Sequence, residues 1–206
     1  MAESRPADLA QAVPERLGSH PAIGRVKLVG SRANSAAHDL SDWDFAVETS
    51  DFASVARDLP RLVASLTPLA EQWDPYSDFA CYMLMLAGPT KVDLIFPAER
   101  RAWSAPWDPR PDTLDAIDRH FWDWALWLEQ KRRGGQTDTA EKSLRDQYEL
   151  LLRPLGVSDA PRSVDEAVAA YVEARRVLEA RFGLRVPRRL EEEVRPVVAR
   201  SAAKLR

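Results

Sequence analysis

The chain has 206 residues, enough for one large domain or two small ones. With 45% hydrophobic and 30% charged residues it reads as a folded globular protein rather than a disordered segment. A net charge of −3 gives no global drive toward nucleic acid, and a single cysteine, Cys81, excludes an intramolecular disulfide or a cysteine-cluster zinc site. The first residues lack the basic start and apolar run of a secretory signal, and no stretch approaches the roughly 20 apolar residues of a membrane span. A cytoplasmic location and no membrane partner are therefore expected.

In chain order, residues 7–17 have helical period, with Pro14 expected to shorten or kink the helix. RVKLV, 25–29, is a β-rich run that stops at Gly30. DWDFAVE, 42–48, alternates: Trp43, Phe45 and Val47 point one way, Asp42, Asp44 and Ala46 the other. Residues 52–66 return to helical period, with a break expected at Pro60. ACYMLMLA and KVDLIF then flank GPT, which signals a hairpin. In its second strand Val92, Leu94 and Phe96 share one face, while Lys91, Asp93 and Ile95 share the other.

Residues 97–111 hold four prolines and two tryptophans, Trp103 and Trp107, and read as a surface-packed linker. Beyond it nearly everything is helical in period, with helices expected over 112–133, 138–153, 163–182 and 187–204. Thr139 and Ser163 are expected N-caps, Ser163 with Glu166 in a capping box. Gly183 and Pro187 part the last two helices. The expected organisation is thus a core over 1–100, the linker, and a helical domain over 112–206. Glu191, Glu192 and Glu193 read as a solvated helix start.

Chemistry concentrates at GSRANSAAHDLSDWDFAVE, 30–48. Two residues of strand rise by about 6.6 Å, so Asp42 and Asp44 can lean toward one point. Two such charges about 6 Å apart repel by roughly 3 kcal/mol at an effective dielectric of 20. If Asp93 comes from an adjacent strand with the same facing, the repulsion grows and something positive must sit there. Mg²⁺ suits the place, since it takes hard oxygen ligands from carboxylates, phosphates and water. Gly30 lets backbone approach a phosphate, Ser31 adds a hydroxyl, and Arg32 can add positive charge. The plainer reading has Asp42 and Asp44 exposed and paired with Lys91 and Arg32. Lys91 can also serve simply as the ion-pair partner of Asp93.

The order strand, Gly30–Ser31, turn, Asp42-Trp43-Asp44, helix, strand, Asp93 resembles the DNA polymerase beta-like nucleotidyltransferase superfamily. The resemblance spans about residues 23–97. Within the superfamily it looks most like the members that adenylylate aminoglycosides or lincosamides and carry a C-terminal helical domain. It implies an α+β fold, a small mixed sheet with flanking helices, followed by a helical bundle. It implies that Asp42 and Asp44 hold Mg²⁺ against the triphosphate of a nucleotide such as ATP. Asp93 would be a further ligand or the base for the acceptor hydroxyl, and Gly30, Ser31 and Arg32 would bind the nucleotide. A lysine early in a bundle helix touches the triphosphate in some relatives, which points to Lys142, with Arg145 on the same face. The implied partners are a nucleoside triphosphate and a small hydroxyl-bearing acceptor such as an aminoglycoside-like antibiotic, bound by a monomer or homodimer.

RHFWDWALWLEQ places His120, Trp124 and Trp127 on one stripe, either core between helices or a wall for a flat ligand. Asp118 and Asp123 are read as acids able to face an amine-rich acceptor or to serve as an alternative base. Two other functions stay open: a protein-adenylylating enzyme of the antitoxin type, and a non-catalytic nucleotide-binding regulator of the same fold. A template-directed polymerase is not expected, because no basic tract tracks a backbone.

Overall fold

In a computed structural model, the structure describes residues 6–100 and 107–202. The chain divides into two compact units, Met1–Ser104 and Ala105–Arg206. Trp103, expected in the linker, lies outside the described residues.

The first unit contains α1 (Pro6–Leu17), β1 (Ile23–Val29), the single turn α2 (Gly30–Ala33), β2 (Trp43–Thr49), α3 (Phe52–Val63), β3 (Ala70–Trp73), β4 (Phe79–Leu86) and β5 (Thr90–Arg100). The strands form one sheet in the order β1-β2-β5-β4-β3, with β2 and β5 parallel and every other pair antiparallel. The break expected at Pro60 does not occur, since α3 runs through it, and α1 likewise continues past Pro14 to Leu17. Each proline costs its helix one hydrogen bond to the carbonyl four residues back, and burial of an apolar face holds the backbone helical nonetheless. In α3 that face is Val55, Leu59, Leu62 and Val63, after which the chain tightens into a 3₁₀ turn over Ala64–Leu66. Asp51 caps the helix by accepting from the Ser54 N–H at 3.0 Å.

Alternation in the strands sorts side chains onto two faces. One face carries Trp43, Phe45, Val47, Val92, Leu94 and Phe96, and packs in one core with Leu9, Val13 and Leu17 of α1 and the apolar stripe of α3. Phe52, Trp73, Tyr82 and Phe96 extend it as an edge-on aromatic cluster with centroids 5.0–5.9 Å apart. The opposite face carries Asp44, Asp93, Lys91, Cys81, Met83 and Met85. β3 was not expected: AEQW is short and weakly apolar, and it pairs only with β4. β5 runs on through Arg100, so residues 97–100 are strand where the linker was expected to begin.

The second unit contains α4 (Leu114–Arg133), α5 (Thr137–Gln147), a π-helical turn (Tyr148–Leu152), α6 (Val164–Phe182) and α7 (Arg189–Ala202). The expected helix over 138–153 therefore widens into a π-helical turn at Tyr148–Leu152 and ends there. α5 begins at Thr137 with Gln136 as N-cap, so Thr139 lies inside the helix and does not cap it. Ser163 does cap α6, accepting from the Glu166 N–H at 3.2 Å. Glu166 reaches the Arg162 N–H at 2.8 Å, one residue earlier than a capping box requires. Gly183 ends α6 in the left-handed region, φ +66°. The fold class is α+β, a mixed sheet with flanking helices followed by helices alone.

Candidate active site

Register builds the site. In the parallel β2–β5 pair Asp44 stands directly opposite Asp93, and in the antiparallel β1–β2 pair it stands opposite Val29, the residue before Gly30. Paired residues share a face, so the strand pattern places both aspartates on the face away from the apolar core. Asp42, just ahead of β2, completes the group: one carboxylate oxygen from each of Asp42, Asp44 and Asp93 lies within 4.8 Å of the others. At that separation two full charges repel by about 3.5 kcal/mol at an effective dielectric of 20. Three hard carboxylate oxygens that close suit a divalent cation of the Mg²⁺ or Mn²⁺ kind.

Gly30 tightens the case. Its φ is +68°, and a Cβ built on it falls 2.2 Å from Asp44 Oδ2. Only glycine leaves the Asp44 carboxylate its place. Ser31 follows at the start of α2, partly exposed, and its carbonyl accepts from the Asn34 and Ala36 N–H groups at 3.3 and 3.0 Å.

Arg32 is engaged with the loop that delivers the acids. Its Nε and Nη2 donate to the Ser41 carbonyl at 3.0 and 2.7 Å, Nε also reaches the Asp42 carbonyl at 3.1 Å, and the guanidinium lies 4.2 Å over the Trp43 ring. Burial pulls the Arg32 guanidinium below its ordinary pKa, while the charges of Asp42 and Asp44 push it back up. Ser41 contributes as well, its hydroxyl accepting from the His38 N–H at 2.9 Å. Arg32 thus holds the Asp42 backbone in place, a role its position in the sequence did not announce. The Lys91–Asp93 pair allowed by the plainer reading is present, with Lys91 Nζ 3.2 Å from Asp93 Oδ2.

Lys142 stands on α5 in the second unit, 73% exposed, its ammonium 2.7 Å from Asp146 Oδ2. Of the aromatic stripe, His120 is buried beside Trp107 and Trp124, and Trp124 donates to Ser143 Oγ at 2.7 Å. Asp118 does not face a cleft as expected. It is 2% exposed and accepts from the Tyr171 hydroxyl at 2.6 Å and from Arg175 Nη1 at 2.7 Å. Asp123 is buried too. Glu191, expected in solvent, is buried and pairs with Arg175 and Arg195, because α7 turns it toward the arginines instead of water.

No family model matches the chain, and no curated protein does. Among solved structures it is similar to an aminoglycoside 6-adenyltransferase from Bacillus subtilis, at 10% identity over 94% of this chain and 97% of that one, with a TM-score of 0.35. The residues of the acid face, and not so loose a likeness, carry the functional argument. No helix among the described residues is long and apolar enough to cross a membrane.

Proposed function

We propose that this protein is a Mg²⁺-dependent nucleotidyltransferase that moves a nucleoside monophosphate, AMP from ATP, onto a hydroxyl of a small molecule such as an aminoglycoside-like antibiotic. The observation that carries this reading is the convergence of Asp42, Asp44 and Asp93 on one patch beside Gly30–Ser31. In this reading Asp42 and Asp44 hold the ion and Asp93 adds the third carboxylate. When bound, Mg²⁺ supplies charge neutralisation at the phosphoryl group being transferred. Gly30 lets the turn lie against Asp44, and Ser31 offers a hydroxyl to the phosphates. Arg32 orients the Asp42 backbone through the Ser41 and Asp42 carbonyls and adds positive charge next to the acids. The transfer forms a bond from the acceptor oxygen to the α-phosphorus and breaks the bond to the leaving pyrophosphate, while the hydroxyl proton passes to Asp93 or to water. Positioning and electrostatics supply most of the rate in such a reaction.

The test incubates the full-length protein with Mg²⁺, α-labelled ATP and a panel of aminoglycosides and lincosamides. Labelled acceptor and pyrophosphate are expected from wild type, with a fall of roughly a thousandfold in Asp42→Asn and Asp44→Asn, the equivalent of several kcal/mol of lost metal catalysis. Label on protein side chains instead would move the acceptor class to proteins. Nucleotide binding with no transfer to any acceptor would replace the enzyme by a regulator.

A further inference from the structure

Lys91 poses a physical question that a metal site alone does not answer. It precedes Asp93 by two residues on β5, so both lie on the same face, and their side chains are only 8% and 12% exposed. Across the β4–β5 ladder Lys91 stands opposite Met85 and Asp93 opposite Met83, both methionines fully buried. The ion pair therefore runs along an apolar strip. Burying an ammonium costs free energy unless an opposite charge compensates it, and lysine is the more strongly hydrated of the two basic side chains. Asp93 Oδ2, 3.2 Å away, is the compensating group. Yet Asp93 also belongs to the triad whose oxygens lie within 4.8 Å of one another, and an ammonium beside it repels any divalent ion placed there. A sheet built solely to bind metal tightly would put an apolar residue at position 91.

We propose that Lys91 is a tethered counter-cation of the metal site. Its ammonium balances Asp93 in the metal-free protein, competes electrostatically with the incoming ion, and so sets how tightly the triad takes a divalent cation. Lys91 is a positioning residue that acts through Asp93, and the proposal rests on the metal reading of the triad. The competition keeps the folded sheet from depending on metal and leaves the ion exchangeable.

The experiment measures Mn²⁺ binding to the full-length protein at pH 8, by electron paramagnetic resonance of the free ion. It compares wild type, Lys91→Met, Lys91→Arg, Asp93→Asn and the double variant Lys91→Met/Asp93→Asn. Lys91→Met should bind Mn²⁺ at least fivefold more tightly than wild type, and Lys91→Arg, which keeps the charge, should stay near wild type. Comparing the double variant with Asp93→Asn alone, Lys91→Met should still tighten Mn²⁺ binding, because direct repulsion by the ammonium survives the loss of Asp93. In EDTA, Lys91→Met should melt below wild type, and Mn²⁺ should raise its Tm by more than it raises that of wild type. Equal or weaker Mn²⁺ binding by Lys91→Met would overturn the proposal while leaving the metal site intact. Failure of wild type to bind Mn²⁺ at all would overturn the proposal and the metal reading together. If Lys91→Met alone does not fold and the double variant does, the charge pairing is supported. If neither folds, Lys91 serves the core independently of Asp93 and the proposal falls.

Discussion

Gly30 is where backbone geometry and acid chemistry meet. Its φ of +68° is one that side-chain-bearing residues adopt at a cost of about 1–2 kcal/mol, and the missing Cβ is the space that Asp44 Oδ2 fills. Gly88 in the β4–β5 turn has φ +76° but nothing within 4 Å of a built Cβ, so it isolates the conformational cost. Gly30→Ala and Gly88→Ala should therefore both lower the melting temperature, but only Gly30→Ala should also weaken Mn²⁺ binding, as Asp44 is displaced. Wild-type Mn²⁺ affinity in Gly30→Ala would show that Asp44 does not need this space. At this scale the sequence was informative. A glycine–serine pair at a strand end, two aspartates one residue apart and a third on a strand of matching parity are all visible in a single chain. Arg32 was visible as a charge but not as a clamp, since its partners are main-chain carbonyls nine and ten residues away, and carbonyls leave no mark on composition. Glu191 misled for a related reason: three glutamates at a helix start look alike until tertiary contacts single one out for Arg175.

Among the elements, α6 and α7 show how charged residues become structural. Arg175 of α6 donates to Asp118 of α4 and to Glu191 of α7, and these hydrogen bonds outweigh the burial that would otherwise lower its pKa, so the guanidinium is held charged. Nearby, burial alone would raise the Glu179 carboxyl, but the Arg188 guanidinium at 2.6 Å and the Val186 N–H at 2.9 Å outweigh it and hold Glu179 below its ordinary 4.5. A carboxyl with a depressed folded pKa stabilises the fold above its unfolded value, and that contribution disappears as pH falls through the folded one. Glu179→Gln should accordingly melt below wild type at pH 7, and its loss of stability between pH 5 and pH 3 should be shallower. Parallel pH profiles for the two proteins would contradict this. Asp118 has the opposite sign. Burial raises its carboxyl against the pull of Tyr171 and Arg175, so protonation of this group favours the fold and opposes acid unfolding. Helix periods were legible because α4 and α6 are long, and glycines and prolines mark the breaks between the helices. The π turn at Tyr148–Leu152 was not, because widening a helix by one residue changes hydrogen bonding without changing the apolar pattern. β3 escaped for want of length, since four residues that take their place from β4 carry little alternation of their own.

Over the whole molecule, the first unit is a five-stranded sheet that packs one face into an apolar core and sets Asp44, Asp93 and Lys91 on the other, beside the buried Cys81, Met83 and Met85. The parallel β2–β5 pair at its centre is what aligns Asp44 with Asp93, and no sequence pattern announces a pairing between segments almost fifty residues apart. The hairpin was legible from its turn residues; the placement of β5 between β2 and β4 followed only from the folded chain. The most direct measurement is anomalous diffraction from crystals of the full-length protein soaked in Mn²⁺. The expected result is a peak ligated by the carboxylates of Asp42 and Asp44 with Asp93 adjoining, lost in Asp44→Asn. A peak elsewhere, or none while the three acids remain grouped, would contradict it.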